Sequence, residues 1–100
     1  MRQYELYLVI DAGVEEDDAN AIIERMTQLI SAGDGETKGE VLKVEPRGSR
    51  RLAYPIKKKQ ESRDIILSFQ TPPQALPEME RVLKLDEQVL RYLIVRTDEG

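Results

Sequence analysis

Eight of the chain's 15 basic residues fall between positions 43 and 63: Lys43, Arg47, Arg50, Arg51, Lys57, Lys58, Lys59 and Arg63. Only Glu45 and Glu61 oppose them within that stretch. Ammonium and guanidinium groups at this density can neutralise phosphates and release the counterions condensed on a nucleic acid. The rest of the 100-residue chain is acidic, so the formal net charge of −4 conceals a local basic excess. Beyond about 10 Å, exposed charges are largely screened in salt, so the local segment governs phosphate contact and the total charge does not. A second reading stays open, because lysines and a proline on an edge strand also discourage pairing with other chains. Tyr54, inside the basic stretch, can stack on a base, but in an alternating strand it reads as a core residue.

Other chemistry is sparse. The chain has no His, no Cys and no Trp. That removes the commonest general base, the usual zinc ligands, thiol nucleophiles and disulfides. Glu15-Glu16-Asp17-Asp18 is a conceivable cation ligand set. It lacks calcium-loop spacing, however, and reads as the acidic start of a helix. Gly33-Asp34-Gly35 lacks the Lys-Ser/Thr ending of a phosphate-binding loop. No carboxylate pair stands out for acid–base work. The expectation is a protein with no catalytic residues, no metal, no cofactor and no small-molecule substrate. Leu6–Ile10 is the longest apolar run near the start and is far shorter than the roughly 20 residues of a membrane span. Met1-Arg2-Gln3-Tyr4-Glu5 does not read as a signal peptide. No membrane association is expected, and a cytoplasmic location is.

The elements that must position the basic stretch follow from periodicity. Tyr4–Ile10 reads as a strand ending at the turn signal Asp11-Ala12-Gly13. Ala19, Ile22, Ile23, Met26, Leu29 and Ile30 trace one face of a helix, with Gly33 placed to stop it in the left-handed region. Residues 33–39 are loop by composition. Val41–Glu45 reads as a strand, Pro46-Arg47-Gly48 interrupts it as a bulge or turn, and Leu52–Ile56 resumes it. Pro55 cannot donate to a ladder and places this stretch on a sheet edge. Lys57–Glu61 is a polar connection to a strand at Ile65–Gln70. Leu76, Met79, Val82 and Leu83 suit a short amphipathic helix with Pro77 near its start, and Val89–Val95 is a last strand. Right-handed crossovers turn the order βαββαβ into an α+β ferredoxin-like sandwich in a single domain spanning residues 1–100. Its four-stranded antiparallel sheet has the order 4-1-3-2, with two helices on one face. The second strand is then an edge, as Pro55 requires.

Arg50-Arg51-Leu52-Ala53-Tyr54-Pro55-Ile56 resembles the hallmark segment of the bacterial small-subunit ribosomal protein six family. The opening Met1-Arg2-Gln3-Tyr4-Glu5 and the closing Leu85–Val95 are similar to that family's ends. The resemblance implies a structural constituent of the small ribosomal subunit. It further implies binding to the central domain of small-subunit ribosomal RNA together with small-subunit ribosomal protein eighteen. On that basis Val44, Arg47, Arg50, Arg51 and Leu52 are expected at the partner-protein edge, and Arg2, Lys57, Lys58, Lys59 and Arg91 at the RNA. The sequence departs from the family at Arg47, where a tryptophan is frequent, and at Ser62-Arg63-Asp64, where glycine and aromatics are frequent. The 33–39 loop also looks long, and a tail common in relatives is expected to be missing after Asp98-Glu99-Gly100. Two other ferredoxin-like roles fit less well. A ligand-binding regulatory module would need a specific pocket motif. An acylphosphatase-like hydrolase would need a phosphate cradle where Asp11–Glu16 places acid.

Overall fold

A computed structural model of the chain describes residues 1–33, 35 and 38–98. In strand β1 (Arg2–Asp11) alternate side chains, Tyr4, Leu6, Leu8 and Ile10, are buried on one face, as the two-residue period of an extended chain requires. A turn held by the Gly13 N–H donating to Asp11 Oδ1 at 3.0 Å leads into helix α1 (Glu16–Ile30). Ala19, Ile22, Met26 and Ile30 are buried along one stripe, and Glu16, Asp17 and Asp18 fill the first turn. There they complement the unsatisfied N–H groups at the positive end of the helix dipole. The helix stops earlier than expected. Ser31 (φ −96°) caps it, and both its N–H and its Oγ donate to the Thr27 carbonyl. The left-handed glycines among the described residues are Gly35 and Gly48. The expected loop at 33–39 lies partly outside the described residues, at 34, 36 and 37. Gly39 returns the chain to the sheet through a close approach. A Cβ there would stand 2.4 Å from the Ile30 carbonyl oxygen and 2.6 Å from that of Gln70.

Strands β2 (Glu40–Ile56) and β3 (Lys59–Thr71) form a long hairpin. A short 3-10 turn at Pro73–Ala75 then leads into helix α2 (Leu76–Leu85), and strand β4 (Val89–Arg96) closes the fold. The sheet order is β2-β3-β1-β4, with antiparallel neighbours throughout. This is the expected order read from its other edge. One cluster of buried side chains joins Leu6, Leu8, Leu67 and Phe69 of the sheet to Met26 and Ile30 of α1 and Met79 and Leu83 of α2. Both helices therefore cover one face and leave the other open. Leu93 and Val95 are exposed on that open side of β4, opposite Tyr7 and Glu5 of β1.

Of the two readings of Pro46-Arg47-Gly48, bulge or turn, the structure has the bulge, inside a continuous β2 and with Gly48 at φ +82°. One boundary differs from the sequence expectation. The polar connection at 57–61 shrinks to the two residues Lys57 and Lys58, because β3 already begins at Lys59.

Candidate nucleic-acid and partner interface

The long hairpin is not flat. β2 gains a residue on β3 between Val41 and Lys43 and another between Pro46 and Gly48. Between Arg51 and Ile56 it advances five positions while β3 covers only the two from Glu61 to Lys59. Surplus residues on one strand bend and twist it. The bend lies in Leu52-Ala53-Tyr54-Pro55, inside the segment that carries the resemblance. At the tip, Lys57 (φ +51°) and Lys58 (φ +67°) both occupy the left-handed region. That is the geometry of a two-residue type I′ turn, normally given to Asn-Gly.

Three contacts fasten the bent tip across the end of β1. Lys59 Nζ lies 3.2 Å from Asp11 Oδ2, and the Ala12 N–H donates to the Glu61 carbonyl at 3.4 Å. Lys57 Nζ reaches the first residue of β4 and donates to the Val89 carbonyl at 2.9 Å. The Asp11 carboxyl is held below its ordinary range, first by the Gly13 N–H and then by the Lys59 ammonium. Tyr54 is a correction to the sequence reading: it is 57% exposed, not core. The surplus residues break the alternation that would have turned it inward. Its hydroxyl accepts from Arg91 Nη2 at 3.0 Å, and the Arg91 guanidinium carbon stands 5.9 Å from the ring centroid.

A polar cluster lies on the open face where Ser62-Arg63-Asp64 replaces the glycine and aromatics of the resemblance. Ser62 and Asp64 are buried. The Asp64 carboxylate accepts from the Tyr7 hydroxyl at 2.7 Å and from Ser62 Oγ at 2.8 Å, and Arg50 Nε is 3.0 Å away. The hydrogen bond to Asp64, together with burial, raises the Tyr7 pKa above its ordinary 10.0. Arg50 thus ties β2 to the sheet with one end of its side chain and remains half exposed.

Among the residues expected at RNA, the fold gathers Lys57, Lys58, Lys59 and Arg91 at one end of the sheet and leaves Arg2 at the other. β1 and β4 are neighbours, as expected, but they run antiparallel. Arg91 pairs with Val9, whereas Arg2 lies within β1 beyond the Tyr4–Arg96 pair. Seven residues of strand put Arg2 about 23 Å from the level of Arg91. Lys58 is exposed and forms no ion pair among the described residues. The expected partner-edge residues Val44, Arg47, Arg50, Arg51 and Leu52 all lie on β2, which is paired on one side only. They share its edge and not one face. Val44 sits opposite Leu67 on the helix side, and Arg50 sits opposite Ser62 on the open side. Arg47 Nη1 donates to Glu45 Oε2 at 2.7 Å, and Lys43 Nζ is 2.9 Å from Oε1 of the same carboxylate. These two cations hold the Glu45 pKa below its ordinary value.

A model of the family described as Ribosomal protein S6 matches residues 3–96. The chain belongs to the ribosomal protein S6 family. It is 39% identical over 99 residues to the small ribosomal subunit protein bS6 of Caldanaerobacter subterraneus subsp. tengcongensis, covering 99% of this chain and 100% of that protein. It is 36% identical to the bS6 of Streptomyces griseus subsp. griseus, with 98% of each chain covered. The fold is similar to the crystal structure of 30S ribosomal protein S6 from Thermotoga maritima. That match has a TM-score of 0.82 and 31% identity, covering 96% of this chain and 87% of the other. In this S6-family chain the segment Arg50–Ile56 is thus the bent outer arm of the sheet, and Leu85–Val95 is the end of α2 with most of β4. Among the described residues no helix is long and apolar enough to cross a membrane, and no three acidic side chains converge as a metal site.

Proposed function

We propose that this chain is a non-catalytic, structural constituent of the small ribosomal subunit in the cytoplasm. In this reading it binds the central domain of small-subunit ribosomal RNA together with small-subunit ribosomal protein eighteen. Membership of the ribosomal protein S6 family over residues 3–96 carries the reading. The surface chemistry supports it. β2 offers one edge of unpaired backbone groups, of the kind a neighbouring protein can extend. Val44, Arg47, Arg50, Arg51 and Leu52 flank that edge and are assigned to the partner protein. Lys57, Lys58, Lys59 and Arg91 concentrate positive charge at the bent tip and are assigned to RNA phosphates. Arg2 is assigned to a separate RNA contact at the far end of β1.

A chain of net charge −4 has little charge-driven affinity for RNA as a whole. Binding alone is therefore weak and improves when the partner protein supplies a second surface. Gel-shift titration of a central-domain RNA fragment, with and without the partner, measures this. Equal affinity in the two titrations removes the cooperative part of the reading. Replacing Lys57, Lys58 and Lys59 by Ala lowers the salt dependence of binding, by about 0.9 in log–log slope for each duplex phosphate that is no longer neutralised.

A further inference from the structure

We propose that Tyr54, Arg91, Lys57 and Lys84 form a site for one unpaired nucleotide, with its base stacked on the Tyr54 ring and its phosphate held between the three cations. The inference rests on the RNA-binding reading above and specifies the chemistry of one contact within it.

The Tyr54 ring is presented and held before any ligand arrives. It lies among the surplus residues of β2, it is 57% exposed, and its hydroxyl is anchored by Arg91 Nη2 at 3.0 Å. A fixed, exposed aromatic ring beside a guanidinium is a stacking platform for a base, and only an unpaired base offers a free face. Arg91 also lines a groove of about 280 Å³ together with Lys57, Lys84, Val89 and Leu90. Its three cations come from three elements, namely the β2–β3 turn, the last turn of α2 and β4. No carboxylate lines this groove. Four other surface grooves each include at least one: Asp18 and Glu24 in one, Asp86 in a second, Glu78 in a third, and Asp11 and Glu15 in a fourth. With three cations and no opposing carboxylate, an anion is favoured here. Lys57 has three ammonium donors and gives one to the Val89 carbonyl; Arg91 has five N–H donors and gives one to Tyr54. Both retain donors for a phosphate oxygen.

Stacking and phosphate contact respond differently to salt, which separates the two halves of the site. The experiment is a filter-binding titration of the central-domain RNA fragment by the intact chain with its partner protein, at several salt concentrations. Tyr54→Ala is expected to weaken binding about tenfold with an unchanged salt slope, because removing a stack releases no counterions. Tyr54→Phe keeps the ring and stays within about twofold. Lys84→Ala lowers the slope by about 0.7, the value for a single-strand phosphate. Both residues are exposed, so the urea midpoints of the variants stay at the wild-type value and exclude a folding defect. If the wild type binds and Tyr54→Ala and Lys84→Ala match it in affinity and slope, the site is overturned while the RNA-binding reading stands. If the wild type does not bind, both fall together.

Discussion

Asp64 is 2% exposed, and its carboxylate is met by the Tyr7 hydroxyl, Ser62 Oγ and Arg50 Nε. Removing the acceptor strands two hydroxyls and loosens the arginine that ties β2 to the sheet. Asp64→Ala should destabilise the fold by about 2 kcal/mol, the cost of buried polar groups left unpaired, read as a lower urea midpoint. The same cluster sets a high-pH limit. The Tyr7 pKa is raised in the folded state, so its contribution is complete below the ordinary value of 10.0 and is lost as pH rises through the folded value. Phenolate absorbance should show the Tyr7 step above the ordinary 10.0, and Asp64→Asn should bring that step back toward it. Little of this is legible in the sequence. Ser62 and Asp64 sit at alternating polar positions that read as solvent-facing, whereas in the fold both are buried and Tyr7 and Arg50 meet the Asp64 carboxylate. Tyr54 fails in the opposite direction, because its apolar neighbours suggest an alternation that the surplus residues of β2 have already broken.

The hairpin is the element on which the surface depends. Its turn places two lysines in the left-handed region, at roughly 1 kcal/mol or more each. Contacts outside the turn hold it there, chiefly Lys57 to Val89 and Lys59 to Asp11. Lys58→Gly should therefore stabilise the fold by up to about 1 kcal/mol in urea unfolding, while removing a cation from the tip. A loss of stability would show that the turn is not strained. Element order and sheet order are readable from the sequence because apolar periods of 2 and 3.6 are strong on the helix-covered face. The extent of β2 and β3 is not. Pro46 and Gly48 fit a bulge and a turn equally well until the pairing with β3 decides for the bulge, and two lysines in a tight turn lack the Asn-Gly signal that marks one. Pro55 is informative despite the irregularity, since a residue without an N–H donor fits an outer strand.

At the scale of the whole molecule, one buried cluster links both helices to β1 and β3, which supports the proposal that residues 1–100 act as one domain. The radius of gyration is 13.6 Å, close to the value of about 13 Å for a compact chain of this length. Charge is divided across this body, with acid on α1 and cations along β2 and at the bent tip. The negative total therefore governs long-range attraction, and the arm governs contact. The residues expected to act together were identified by type, but their grouping required the fold. Antiparallel pairing separates Arg2 from Arg91, and a bulge brings Tyr54 to it. The most direct test of the central claim is co-sedimentation of the tagged full chain with small ribosomal subunits at moderate salt. The chain should pellet with the subunits in a defined, saturable ratio. A chain that stays in the supernatant while the subunits pellet would contradict the account.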